Sequence, residues 1–134
     1  MQQDFKPKVV LGLIEDKGKF LLIRRKVPSF RVNWAFPGGV IHPGETEEEC
    51  VAREVKSEVG IDVEVKEKLL ERKHPNTLVT IAYFHCIPKV KTTPKIGEPD
   101  EISEIEWIGA KEVLERFTSD VDPKIQKFVL SYAK

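Results

Sequence analysis

The sequence predicts an α+β domain, an α/β/α sandwich with a mixed β-sheet between helices. Three observations predict it. Short apolar runs bounded by turn residues occupy the first part of the chain and recur after its middle, a strongly patterned helix interrupts them between Thr46 and Val59, and two further helical patterns close the chain.

The elements follow in order. Val9 to Ile14 and Phe20 to Ile23 are apolar runs separated by the turn-like Glu15-Asp16-Lys17-Gly18-Lys19, which reads as a hairpin. Val27 to Asn33 contains Pro28 and mixed polar residues, so a loop is expected there, leading to a short Trp34-Ala35-Phe36 strand ended by Pro37-Gly38-Gly39. Thr46 with Glu49 is a capping-box signature, Glu47, Glu48 and Glu49 suit the positive end of the helix dipole, and Gly60 is placed to end the helix. Val51, Ala52, Val55 and Val59 recur at the spacing of one buried face. Val63, Val65 and Lys68 to Arg72 predict a strand, and Leu78 to Ile87 a stronger one. Lys89 to Pro99 reads as a loop, Ile102 to Ile108 as a strand, and Ala110 to Phe117 as a helix. A last amphipathic helix starts near Asp122-Pro123, with Ile125, Phe128 and Val129 facing inward.

The 134 residues fit a single domain spanning 1–134. The 22 basic and 22 acidic residues cancel, so no global field collects nucleic acid or a membrane surface. The N-terminal MQQDFKPK has no apolar run, and no segment approaches the ~20 apolar residues of a membrane span. Cys50 and Cys86 lie far apart without metal or redox spacing, and two buried reduced thiols suit a cytoplasmic protein. The sequence leaves a homodimer open.

Glu54 and Glu58 lie four residues apart, on one helix face about one turn apart. Like charges at that spacing repel unless a cation lies between them. Magnesium takes oxygen ligands and retains waters, so two carboxylates with substrate phosphate make a sufficient site. Upstream, Gly38-Gly39 offers backbone that an ion or a phosphate can approach closely. A solvated acidic face is the other meaning of such glutamates.

From Gly39 the chain reads Gly, five residues, Glu45, seven residues, Arg53-Glu54-Val55, one residue, Ser57-Glu58, one residue, Gly60-Ile61. This resembles the Nudix box, G-x5-E-x7-R-E-U-x-E-E-x-G-U with U aliphatic, and departs from it at Ser57, where the family usually has glutamate. Leu22-Ile23-Arg24-Arg25, Phe36-Pro37-Gly38-Gly39, Glu98-Pro99 and Glu106-Trp107 are similar to corresponding parts of MutT-like members.

The resemblance implies a Nudix fold and a water, activated by Mg2+ or Mn2+, that attacks a diphosphate linkage in a nucleoside triphosphate or another nucleoside diphosphate derivative. It implies Glu58 and the Gly38 carbonyl as metal ligands, and Glu54 as ligand or base. Glu45 and Arg53 then orient the carboxylates. Arg24 or Arg25, at the end of the second strand, either binds substrate phosphate or forms a solvated strand end. Glu101, six residues before Trp107, is the expected late-loop ligand, with Glu98, Asp100 and Glu104 nearby. Ser57 removes one charge and one oxygen donor, so weaker metal binding is expected. A domain that binds a nucleotide or nucleotide-sugar without turnover, as a sensor, is the competing function. Pro75 lies near the place of a proline in members similar to ADP-ribose pyrophosphatases, whereas the chain length and Glu-Pro loop suit nucleoside triphosphates. Trp34, Phe36, Tyr83 and Phe84 either stack on a base or fill the core. His42, His74 and His85 receive no chemistry.

Overall fold

A computed structural model describes residues 7–29, 32–74, 79–117 and 121–133; Pro75 lies outside them. The elements are β1 (Lys8–Asp16), β2 (Lys19–Ser29), β3 (Val32–Ala35), β4 (Gly38–Val40), α1 (Glu47–Val59), β5 (Val63–Lys73), β6 (Thr80–Pro88), β7 (Ile102–Gly109), α2 (Ala110–Arg116) and α3 (Pro123–Leu130).

The strands form one mixed sheet in the order β3-β2-β1-β6-β5, with β4 also on β1 and β7 also on β2. Strands β1 and β6 are parallel, from Lys8 opposite Thr80 to Ile14 opposite Cys86, and the other pairings are antiparallel. The β1-β2 hairpin is paired only near its turn, at Glu15 with Phe20 and Asp16 with Lys19. Beyond that point the two strands diverge and recruit separate neighbours. On one side of the sheet, Val51, Val55 and Val59 of α1 pack with Val10, Ile14, Ala82 and Phe84. Elsewhere Leu13, Phe20 and Leu22 pack with Val113 of α2 and with Ile125 and Val129 of α3. Helices thus cover two separate cores, as the sandwich requires.

Helix α1 starts and stops where its sequence signals lie. Thr46 Oγ1 accepts from the Glu49 N–H at 3.0 Å while Glu49 Oε1 accepts from the Thr46 N–H at 2.9 Å. Gly60 ends the helix with φ of 74°, a conformation costly for any residue with a Cβ. Lys8 and Lys68 each pair with both Glu47 and Glu71, which ties the start of α1 to β1 and β5.

Three expectations need correction. The described residues of the segment Val27 to Asn33 are strand, not loop: β2 runs to Ser29 and β3 begins at Val32. Pro28 is tolerated because the ladder with β7 ends at Arg25, and among the described residues only β3 pairs with this part of β2. Gly38-Gly39, expected only to end a strand, begins β4, paired with Leu11 and Val10 of β1. Glycine is required at 38 because a Cβ there would lie 2.0 Å from the Val10 carbonyl oxygen. On α1, Ala52 is only half-buried, and Cys50 and Glu58 join the buried face instead. Phe36, Tyr83 and Phe84 are buried core residues, and Trp34 lies under the Arg116 guanidinium at 5.0 Å.

Candidate metal centre

The pairing of β4 with β1 brings Gly38 and Gly39 against the inner face of α1. The Gly38 N–H donates a 2.9 Å hydrogen bond to Glu58 Oε1. A Cβ on Gly39 would lie 2.5 Å from the Glu54 carboxyl carbon, so that carboxylate rests directly on the glycine backbone. Glu58 is 4% exposed, the one charged residue among the buried side chains described.

The loop between β6 and β7 docks on the last turn of α1. The Gly97 N–H donates to the Glu58 carbonyl and the Lys95 N–H to the Val59 carbonyl, both at 2.9 Å. These carbonyls belong to the set a helix leaves unpaired at its end. A Cβ on Gly97 would stand 2.0 Å from the Ser57 carbonyl oxygen, so the approach requires glycine. Glu98 follows, and its Oε2 accepts a 2.6 Å hydrogen bond from Ser57 Oγ.

Glu54, Glu58 and Glu98 thereby converge, each offering a carboxylate oxygen within 4.8 Å of the others. Burial is the main cause that pushes the Glu58 carboxyl up to about 7; Glu54 and Glu98 add to it, while the Gly38 N–H and Arg25 oppose it. Arg53 clamps Glu45 through two bonds, Nε to Oε2 at 2.6 Å and Nη2 to Oε1 at 3.0 Å. Its Nη1 donates to Glu54 Oε1 at 2.7 Å. The His42 N–H also donates to Glu45, at 3.0 Å. Hydrogen bonding to Arg53, then to His42, holds the Glu45 carboxyl down at about 2. Glu45 therefore fixes Arg53, and Arg53 fixes Glu54.

Glu101 is not part of this cluster. The N–H groups of Glu101 and Ile102 both donate to the Glu98 carbonyl, so residues 98–101 form a turn that leaves Glu101 exposed. Counting back from Trp107 passes through that turn, and the carboxylate facing α1 is Glu98. The signal available in sequence was Gly97, whose missing side chain permits the close approach. Asp100 is exposed, and Glu104 pairs with Arg24 Nη1 at 2.6 Å. Arg24 also donates to Asn33 Oδ1 at 3.3 Å, whereas Arg25 is the arginine whose charge acts on Glu58.

The donor set suits a hard divalent cation. Its side-chain donors are carboxylate oxygens, with no thiolate or imidazole in the cluster, the chemistry that magnesium or manganese takes. Three carboxylates at this separation, one of them buried, also repel strongly without a cation. Cys50 and Cys86 are free and buried, and burial pushes their thiols up to about 11 and about 12. Among the described residues no helix is long and apolar enough to cross a membrane.

A family model described as the NUDIX domain matches residues 5–128. An ADP-ribose pyrophosphatase of Methanocaldococcus jannaschii is 48% identical over 58 residues, 43% of this chain and 34% of that protein. A MutT-like protein of Streptomyces ambofaciens is 35% identical over 104 residues, 78% of this chain and 64% of that protein. The chain thus spans about a third and just under two thirds of these two relatives. The crystal structure of a NUDIX hydrolase from Nitrosomonas europaea superposes with a TM-score of 0.82 at 21% identity, covering 96% of this chain and 72% of that one. At that identity the likeness concerns the fold.

Proposed function

The chain belongs to the NUDIX domain family, and from that premise we propose that it hydrolyses a diphosphate linkage in a nucleotide derivative with the help of Mg2+ or Mn2+. The observation that carries this reading is the convergence of Glu54, Glu58 and Glu98 on the Gly38-Gly39 backbone. Glu58 and Glu98 would hold the cation, with the Gly38 carbonyl as a further oxygen and Glu54 beside it as ligand or base. A divalent cation there supplies charge neutralisation on the diphosphate and a lowered pKa for water.

The protein's own groups do the rest. Arg53, fixed by Glu45, keeps the Glu54 carboxylate oriented, so that little reorganisation accompanies the reaction. Glu54 accepts the proton of the attacking water or shares in ligation. Arg25, whose charge already acts on this site, binds a substrate phosphate oxygen. Arg24 is occupied by Glu104 and Asn33 and serves the fold instead. The protonated thiols and balanced charge suit the cytoplasm.

The names of the two relatives point to ADP-ribose in one case and MutT-like chemistry in the other. Their shared element is a nucleoside carried on a phosphoric anhydride, and that is the substrate class proposed. A chromatographic assay of nucleoside triphosphates, oxidised nucleotides and ADP-ribose with Mg2+ or Mn2+ tests it. At least one should give a nucleoside monophosphate with pyrophosphate or a phosphate ester. Binding without turnover of every member points to the sensor function.

A further inference from the structure

Resting on the metal-dependent reading above, we propose that Glu98 takes the place of the carboxylate missing at position 57, and that Ser57 is the positioning residue that holds it there. Position 57 lies on α1 beside Glu58 and three residues after Glu54, so a glutamate there would share the ridge that carries both. Ser57 leaves that ridge one carboxylate short. Glu98 arrives at the same place from the loop, and the Ser57 hydroxyl donates to its Oε2 at 2.6 Å.

The geometry is built rather than incidental. Two backbone hydrogen bonds, from Lys95 and Gly97 to the Val59 and Glu58 carbonyls, anchor the loop immediately before Glu98. Gly97 passes so close to the Ser57 carbonyl that no side chain fits between them. The arrangement runs against ordinary electrostatics. A helix end carries partial negative charge, and Glu54 and Glu58 add two carboxylates, yet a third is fastened beside them. A bound cation reverses the sign of that arrangement. The serine hydroxyl, a poor ligand itself, then orients a good ligand supplied by another element.

The test is Mn2+ affinity of the metal-stripped protein, read by electron paramagnetic resonance of the free ion and needing no turnover. Glu98→Gln should weaken binding about tenfold or more, and Ser57→Ala about tenfold, the range for ligands and the groups that orient them. Ser57→Thr, which keeps the hydroxyl, should bind close to wild type. In the Glu98→Gln background Ser57→Ala should have no further effect, because its target is gone. Moving the carboxylate back to the helix in S57E/E98Q should recover most of the affinity lost in E98Q.

Equal effects of Ser57→Ala in both backgrounds, or a relocated carboxylate that recovers nothing, overturn the proposal. Glu58→Gln separates the two levels. If it abolishes Mn2+ binding while Glu98→Gln binds Mn2+ like wild type, the metal centre stands and the role of Glu98 and Ser57 fails. If Glu58→Gln binds Mn2+ like wild type, the underlying metal reading fails.

Discussion

The backbone N–H of Gly38 donates to Glu58 Oε1 at 2.9 Å, joining the start of β4 to the helix of the candidate centre. This bond favours the ionised carboxylate, but burial outweighs it and pushes the Glu58 carboxyl up to about 7, against an ordinary 4.5. The site is therefore assembled at a cost to the metal-free protein.

That cost has a pH signature. Between about 4.5 and about 7 the folded chain binds the Glu58 proton more tightly than the unfolded chain, so this group's contribution to stability falls as pH rises. Over the whole interval the loss is roughly 3 kcal/mol, an upper value. In chelator, thermal unfolding of Glu58→Gln should lack this loss and show a higher midpoint than wild type at pH 8. Equal midpoints there would contradict the buried, electrostatically opposed carboxylate.

Arg53→Lys should lower turnover about 10- to 100-fold, as loss of an orienting group does. Lysine keeps the charge but cannot clamp Glu45 with two bonds while holding Glu54. The Glu45 carboxyl, held at about 2 mainly by hydrogen bonding to Arg53, should move up towards 4.5 in the variant. Carboxyl-carbon NMR titration reads this shift directly.

The two neighbouring arginines should separate in steady-state kinetics. Arg25→Ala should raise the KM about 10- to 100-fold, the value of a hydrogen bond to a charged group. Arg24→Ala removes an exposed ion pair with Glu104 and should change KM by less than about fivefold. The reverse order would assign the phosphate contact to the wrong residue.

Two glycines should fail in opposite ways. Gly39→Ala puts a methyl group 2.5 Å from the Glu54 carboxyl carbon, the movable end of a side chain. The fold should survive while turnover drops on the order of 100-fold from the displaced carboxylate. Gly60→Ala strains a φ of 74° and should cost about 1 kcal/mol of stability with activity per folded molecule retained. Thermal midpoints measured beside specific activity distinguish the two.

The sequence announced whatever was local. Helix α1 was legible because its cap, periodic face and terminal glycine act within a few residues of one another; helix spacing put Glu54 and Glu58 on one face, and the resemblance to the Nudix box gave them their expected role. The pairing of β4 was not, since Gly38 and Gly39 have little strand preference and are held by β1, far away in sequence. Pro28 disguised the end of β2 because proline forbids only a paired N–H, and sequence does not say which N–H groups are paired. Glu98 was hidden behind Glu101 because the turn at 98–101 decides which carboxylate faces α1. Arg24 and Arg25 could be told apart only once Glu104 had been brought beside Arg24.

Cation-dependent hydrolysis at Glu54, Glu58 and Glu98 is the function proposed. It is tested most directly by following Mg2+-dependent release of nucleoside monophosphate from the best substrate, with wild type and Glu58→Gln compared at matched folded concentration. Turnover should be lost in chelator, return with Mg2+, and fall at least about 100-fold in Glu58→Gln, the scale at which an electrostatic catalytic group is missed. Turnover that persists in chelator, or that is unchanged in Glu58→Gln, contradicts the account.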